Sequence, residues 1–501
     1  MNTRLKDMSL LDAADFLKGP ESLEASDNES FDRDAFASLL IPADPGSGMP
    51  ICSMKASNLK DVDRAIQAAS DAFASYSALP ARERATLLLN FDRLVRDNLE
   101  DLAWILVYET GKPLEEARAE VQYALTFSWW FVGETERVQG QVVKSATNPS
   151  LRFLTVLQPV GPVAILTPWN FPVALFIRKA VSALAAGCTI VAKPSPETPL
   201  STLAVANLLH RAGFPSGSVN IVLASYRNTP AIGQALCTDP RIKKLSFTGS
   251  TRVGRLLMQQ CAPSLKKLTL ELGGLGAYLV FEDADVDGAA AALVANKLRH
   301  AGQTCISAQR AFVHESVVDR VLKCIAAKLD QVQLGHGSQS TTTLGPLQTE
   351  RSQQKAREHI QDARAKGATI YTSTAPVPSA GYFVAPTLIA GCTKDMLVFQ
   401  EESFGPLINV ATFRTEQEAI ELANDTDMGL TSYVFTKDSA RLWRVFEQLK
   451  AGNVGLNVGG STTAAEIPFG GVDQSGFGKE AGIGAGLKEY MIEKSATMSI
   501  A

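Results

Sequence analysis

The chain has 501 residues, 46% apolar and 20% charged, which predicts about two to four domains and excludes extensive disorder. With 48 basic and 52 acidic residues the net charge is −4, so no basic excess exists to neutralise phosphates and nucleic acid is not expected as a main partner. The seven cysteines are scattered without a Cys-x-x-Cys pair, and the five histidines are equally dispersed. A disulfide framework and a His-based metal site therefore lack support, and no metal is expected. Met1 to Pro20 mixes both charge signs and has no apolar stretch, unlike a signal or transit peptide. Phe153 to Ile177 is uncharged and long enough to span a membrane, but Pro159, Pro162, Pro168 and Pro172 would break such a helix. The expectation is a cytoplasmic protein with no membrane partner.

In chain order, residues 1–50 read as loop-rich. Val62, Ile66, Ala69 and Phe73 recur at helical spacing within Asn58–Phe73. Two longer helical stretches follow, Ala81–Thr110 and Pro113–Gln139, separated by Gly111-Lys112-Pro113. After Gly140, Val142–Val143 and Leu151–Gln158 read as strands. Short apolar strands then alternate with helices: Val163–Thr167, Val173–Ala186, Thr189–Lys193, Pro199–Ala212, Val219–Val222, Thr229–Cys237, Lys244–Thr248 and Gly249–Cys261. That alternation predicts a parallel sheet covered on both faces. A second alternating series begins at Ala277–Phe281 and includes Val286–His300, Ala311–His314, Val317–Gln333, Ala368–Tyr371, Leu407–Phe413 and Glu416–Asp425. Lys488–Ile500 reads as a terminal strand.

Four segments carry candidate chemistry. In Phe247-Thr248-Gly249-Ser250 a strand ends and a helix begins; free amides there favour a pyrophosphate, although on these residues alone a plain turn capped by Ser250 is the stronger reading. In Thr167-Pro168-Trp169-Asn170-Phe171-Pro172 an asparagine is held between prolines, and its amide suits a developing oxyanion; a rigid turn is the plainer reading. Gly302-Gln303-Thr304-Cys305 places a thiol in a glycine-containing loop, and Leu270-Glu271-Leu272-Gly273-Gly274 offers a carboxylate in apolar surroundings that raise its pKa. A thiol and such a base are the set needed to build and hydrolyse a thioester. Glu401-Glu402-Ser403-Phe404-Gly405-Pro406 adds an acid for ribose hydroxyls and a ring to pack beside a planar group; a capping acidic turn is the alternative.

The order of these motifs resembles the aldehyde dehydrogenase superfamily from about Asn58 to Gly486, with Asn457, Pro468-Phe469-Gly470-Gly471 and Ser475–Glu480 completing the match. The resemblance implies an α/β fold of two parallel-sheet domains plus a small β oligomerisation arm. Residues 1–139 and 161–271 would form the NAD(P)-binding domain, 272–487 the catalytic domain, and 140–160 with 488–501 the arm of a homodimer or homotetramer. It implies oxidation of a small-molecule aldehyde to an acid with NAD or NADP and no metal. Cys305 would form a thiohemiacetal and then a thioester, with Asn170 and the Cys305 amide holding the oxyanion. Glu271 would activate water, and Lys179 and Glu480 would relay its proton. Cofactor contacts would come from Thr167, Trp169, Lys193, Ser195, Thr248, Gly249, Ser250, Gly254, Leu272, Glu402 and Phe404.

Within the superfamily the chain is similar to succinate-semialdehyde dehydrogenases. Arg178 and Arg299 match positions that hold the substrate's far carboxylate, a role suited to the guanidinium fork. Phe171, Thr463 and Phe469 complete the implied substrate set. Three departures stand out. Leu275-Gly276-Ala277 replaces the usual polar residue and proline after the double glycine. Pro196 occupies the position of a ribose-binding glutamate, with Glu197 next to it, so NAD and NADP both remain open. Ser307 stands where some relatives carry a second cysteine, so no disulfide switch is expected there. The rival readings are a non-carboxylated aliphatic or aromatic aldehyde, a CoA-acylating enzyme, and an inactive binding or structural relative. Glu271 argues against the second, and the intact Cys305, Glu271 and Asn170 set against the third.

Overall fold

The computed structural model describes residues 5–7, 10, 39–460 and 463–500; the leader reading of Met1–Pro20 lies almost wholly outside them. Two α/β layers organise the chain. The first sheet has six strands, in the order Gly476–Phe477, Lys267–Glu271, Lys244–Thr248, Val163–Leu166, Ile190–Lys193 and Val219–Ile221. All neighbours are parallel except the Gly476–Phe477 edge. Val163–Leu166, Ile190–Lys193 and Lys244–Thr248 are buried at every position, as expected of strands covered on both faces. Chain order reverses at Val163–Leu166, and a crevice at the carboxyl ends of strands beside such a reversal is where doubly wound sheets bind ligands.

The second sheet has seven strands, in the order Thr369–Thr372, Thr387–Ala390, Leu407–Phe413, Arg310–His314, Ala277–Val280, Thr431–Phe435 and Asn453–Leu456. Only its first pair is antiparallel. Tyr278, Phe312, Val410 and Tyr433 lie in its core. A third, antiparallel sheet joins Met491–Ser499, Leu151–Pro159 and Val142–Lys144. It leaves Val142, Val143, Phe153 and Ile492 exposed. Among the described residues no helix is long and apolar enough to cross a membrane.

Several elements differ from the sequence reading. The stretch Ala81–Thr110 is two helices, Ala81–Asp97 and Leu99–Thr110. Asn98 interrupts them with φ −107° and ψ 17°, and its Nδ2 donates to Leu94 O at 2.8 Å. The next helix spans Leu114–Thr135 and stops short of Gln139. Ser250 is the cap of helix Thr251–Cys261, accepting from Val253 N, and is not inside it. Lys488–Tyr490 forms a 3-10 turn before the terminal strand. Gly476–Phe477 returns to the first sheet, and Ala481 and Leu487 join the first core, although the sequence suggests one catalytic unit over 272–487. The reason is packing: Gly476 is the residue paired with Glu271.

Candidate active site

The thiol loop follows helix Val286–Leu298, whose N-terminus is capped by Asp285. After Arg299 the backbone turns left-handed at His300, Ala301 and Gly302, with φ of 49°, 53° and 79°. A Cβ at Gly302 would lie 2.1 Å from Gly405 O, so only glycine fits. The two non-glycine residues are strained, by about 1–3 kcal/mol each, and need outside contacts. His300 N donates to Glu116 Oε2 at 2.8 Å. Gln303 Nε2 donates to His300 O at 3.0 Å, and Gln303 Oε1 accepts from Gln348 N at 2.8 Å. Cys305 then packs against Ile306, Leu430 and Phe469.

Asn170 arrives from the first sheet. Its loop leaves strand Val163–Leu166 and enters helix Pro172–Ala186 with Pro172 in the first turn and no side-chain cap. Glu120 substitutes for the cap: its Oε1 accepts from Val173 N at 3.0 Å and Ala174 N at 3.2 Å. Glu120 Oε2 pairs with the Lys112 ammonium, and both side chains are fully buried. Lys112 Nζ also donates to Asn170 O at 2.8 Å. Removing one partner of such a buried pair costs about 3–5 kcal/mol. Asn170 Nδ2 donates to Gln303 O at 2.9 Å, which ties the two loops together. One of its two amide hydrogens is thus used, and the other can still donate.

Glu271 ends strand Lys267–Glu271 and is 2% exposed. Among the described residues neither of its carboxylate oxygens has a hydrogen-bond partner. Burial, and then repulsion from Glu480, raise its pKa well above the usual carboxylate range, against the pull of Arg178 and Lys179. A Cβ at Gly470 would lie 3.1 Å from Glu271 Oε1, so that glycine keeps room beside the base. Burial also pushes Glu480 upward, but the cations of Arg178 and Lys179 outweigh it and hold Glu480 below its ordinary value. Lys179 Nζ bonds Glu480 Oε1 and donates to Ser246 Oγ at 3.0 Å. Burial and the charge of Glu402 push the Cys305 thiol up to about 12, while Arg178 pulls it down. Burial thus favours the thiol, and Arg178 is the group that opposes it.

The candidate cofactor residues line the carboxyl ends of the first sheet. Thr248 Oγ1 is buried without a partner among the described residues. Helix Thr251–Cys261 begins beside it, with Val253 N capped by Ser250 and the amides of Thr251 and Arg252 uncapped. A Cβ at Gly249 would lie 2.4 Å from the Phe247 ring, and one at Gly254 2.4 Å from Leu272. Leu272 N donates to Ser475 O at 3.0 Å, and Thr167 N to Lys193 O at 3.3 Å. Lys193 Nζ donates to Pro194 O at 2.9 Å, and burial lowers its pKa to about 8. Ser195 donates to Glu197, which also takes the Tyr226 hydroxyl. Phe404 is left-handed at φ 49° and meets Trp169 edge to face at 5.6 Å. Burial raises Glu402 to about 7, opposed by Lys297. An orphaned hydroxyl, open helix amides and a cation fit a dinucleotide.

A cavity of about 380 Å³ adjoins the thiol loop, lined by Ala292, Ala295, Asn296, Arg299, Thr304 and Ile306 among others. The Arg299 guanidinium lies 5.0 Å from the Phe171 ring centre. Arg178, expected beside it at the substrate entrance, is instead 3% exposed, ion-paired to Glu480 at 2.5 Å and 4.9 Å from the Phe469 ring centre. Its Nε has no hydrogen-bond partner among the described residues. Thr463 follows residues 461–462, which are outside the described set, and no hydrogen bond joins it to the other described candidates. Lys112, Glu116 and Glu120 are missed by the sequence reading. Their signal is two glutamates one helical turn apart after Gly111-Lys112-Pro113, a spacing that puts them on one face.

Residues 38–496 match the family described as "Aldehyde dehydrogenase family". The chain is 42% identical over 449 residues to the mitochondrial succinate-semialdehyde dehydrogenase of Rattus norvegicus, covering 89% of this chain and 85% of the relative. It is 41% identical over 505 residues to succinate-semialdehyde dehydrogenase [NADP(+)] 1 of Schizosaccharomyces pombe, covering 100% and 98%. The crystal structure of succinate-semialdehyde dehydrogenase from Burkholderia pseudomallei superposes with a TM-score of 0.89 at 43% identity, covering 92% of this chain and 95% of that one.

Proposed function

The chain belongs to the aldehyde dehydrogenase family as an NAD(P)-dependent enzyme, and from that premise we propose that it oxidises succinic semialdehyde, or a similar short ω-carboxy aldehyde, to the dicarboxylic acid. One observation carries the substrate assignment: Arg299 lines the cavity that also touches Thr304 and Ile306, the two neighbours of Cys305. A short chain with its carbonyl at Cys305 brings its far carboxylate to that guanidinium. The names of relatives near 42% identity support the same substrate.

In this reading Cys305 reacts as its thiolate, the proton passing to solvent and the charge of Arg178 favouring the anion. The thiolate attacks the aldehyde carbon; the C–S bond forms and the carbonyl π pair moves to oxygen. The remaining Asn170 amide hydrogen and the Cys305 N–H stabilise that oxyanion. Thr248, Ser250, Lys193 and Glu402 would hold a dinucleotide, which when bound would supply the hydride acceptor needed for the thiohemiacetal on Cys305 to become a thioester. Glu271, in its carboxylate form, takes a proton from water, whose oxygen adds to the thioester carbon. Collapse expels the Cys305 thiolate and frees the acid. The Lys179–Glu480 pair, hydrogen-bonded to each other, would pass that proton on from Glu271. The exposed apolar residues Val142, Phe153 and Ile492 support a homodimer or homotetramer joined through the three-stranded sheet.

Initial rates test the substrate reading. With NAD and NADP, kcat/KM for succinic semialdehyde should exceed that for butanal by at least about 100-fold, the worth of a desolvated charge pair. Equal or better turnover of butanal would reject it. Cys305→Ser, which removes the thiolate, is the control for the nucleophile and should abolish turnover with both aldehydes.

A further inference from the structure

We propose that Glu116 is a positioning residue for the nucleophile, one jaw of a clamp through which helix Leu114–Thr135 sets the spacing between Asn170 and Cys305. The two catalytic loops come from different sheets; among the described residues the Asn170–Gln303 bond is the hydrogen bond that joins them, beside contacts of the Trp169 and Phe171 rings with His300. Oxyanion stabilisation requires the asparagine donor within about 3 Å of the reacting oxygen, and a misplacement near 1 Å costs about 100-fold. The helix grips each loop by its main chain. Glu120 takes the Val173 and Ala174 amides, and Lys112, bound to Glu120, takes Asn170 O. One turn earlier, Glu116 takes the amide of His300 at 2.8 Å. His300 opens the left-handed run His300–Gly302, so that bond holds the first residue of the strained turn before Gln303-Thr304-Cys305, beside the Gln303 side-chain bond to His300 O.

An alternative role for Glu116 is purely electrostatic, because Lys112 and Arg299 both act on its carboxylate. The two roles order conservative variants oppositely. Glu116→Gln keeps an acceptor at the same reach and loses the charge. Glu116→Asp keeps the charge and withdraws the acceptor by one methylene. The inference rests on the Cys305 assignment, which the Cys305→Ser control tests separately.

The measurement is the stopped-flow burst of reduced cofactor with saturating aldehyde. It is read beside cofactor Kd from fluorescence titration and Tm of each full-length variant. The expected result is a burst rate within about threefold of the parent for Glu116→Gln and about 10- to 100-fold lower for Glu116→Asp, with Kd unchanged in both. Glu116→Ala, which has no acceptor, is the second variant and should lose at least as much as Glu116→Asp. A larger loss for Glu116→Gln than for Glu116→Asp, equal losses in both, or a burst within about threefold of the parent for either Glu116→Asp or Glu116→Ala would overturn the inference.

Discussion

Arg178 and Glu480, far apart in sequence, form an ion pair of 2.5 Å in the protein interior, each 3% exposed. Lys179, the next residue, takes the other oxygen of the same carboxylate. Two cations therefore face Glu480 and Glu271 together, and their balance sets how readily each carboxylate holds a proton.

Replacing Arg178 with Leu removes one cation from that balance. Glu271, already raised by burial, rises further, because Arg178 is the first of the groups that lower it. As the proposed base, Glu271 would work only when deprotonated, so turnover would fall as pH drops through its raised value. The acid limb of the kcat–pH profile should therefore move to higher pH in Arg178→Leu and much less in Arg178→Lys. Breaking a buried pair also costs about 3–5 kcal/mol of stability, measurable as a lowered denaturation midpoint. An acid limb unchanged in Arg178→Leu would separate Arg178 from Glu271.

Glu271→Gln should accumulate the thioester. Formation of the acyl group and its hydrolysis need different partners, so a burst of reduced cofactor should precede a steady state about 10²- to 10⁴-fold slower. Intact-protein mass spectrometry should then find one acyl group per chain on Cys305. Normal steady turnover without an acyl adduct would place water activation elsewhere.

Much of this framework is legible in the amino-acid sequence. The apolar strands, their alternation with helices, and the motifs around Asn170, Thr248, Glu271 and Cys305 follow from local chemistry that short windows of sequence carry. The Arg178–Glu480 pair is not legible there, because it joins distant segments and two arginines of the same type suggest one shared role. The break at Asn98 is hidden among strong helix formers on either side; it becomes visible only through its bonds to Leu94. The left-handed turn at His300 and Ala301 has no propensity signal strong enough to mark it in sequence, and Ala301 in particular does not favour positive φ. The return of Gly476–Phe477 to the first sheet depends on pairing with Glu271, a contact that a two-residue strand cannot announce.

Glu197 should bias the cofactor site. Its carboxylate accepts from Ser195 and Tyr226 and acts on Lys193. A negative group here opposes a 2′-phosphate, by an amount that falls with distance and screening. Glu197→Gln should therefore shift the ratio of NADPH to NADH Kd toward NADPH by roughly tenfold, read by fluorescence titration without substrate. An unchanged ratio would mean that the carboxylate faces away from the ribose.

The assignment of a carboxylated substrate is tested most directly by Arg299→Leu, assayed with succinic semialdehyde and with butanal. Arg299 borders the cavity and lies against Phe171, and the shift in the ratio of the two kcat/KM values isolates its contact with the far carboxylate. Losing a charge-assisted partner from a partly desolvated anion costs about 2–5 kcal/mol, so kcat/KM for succinic semialdehyde should fall about 30- to 1000-fold or more. Butanal makes no such contact and should change by less than about threefold. Equal losses for both aldehydes would contradict the account and leave Arg299 a structural residue.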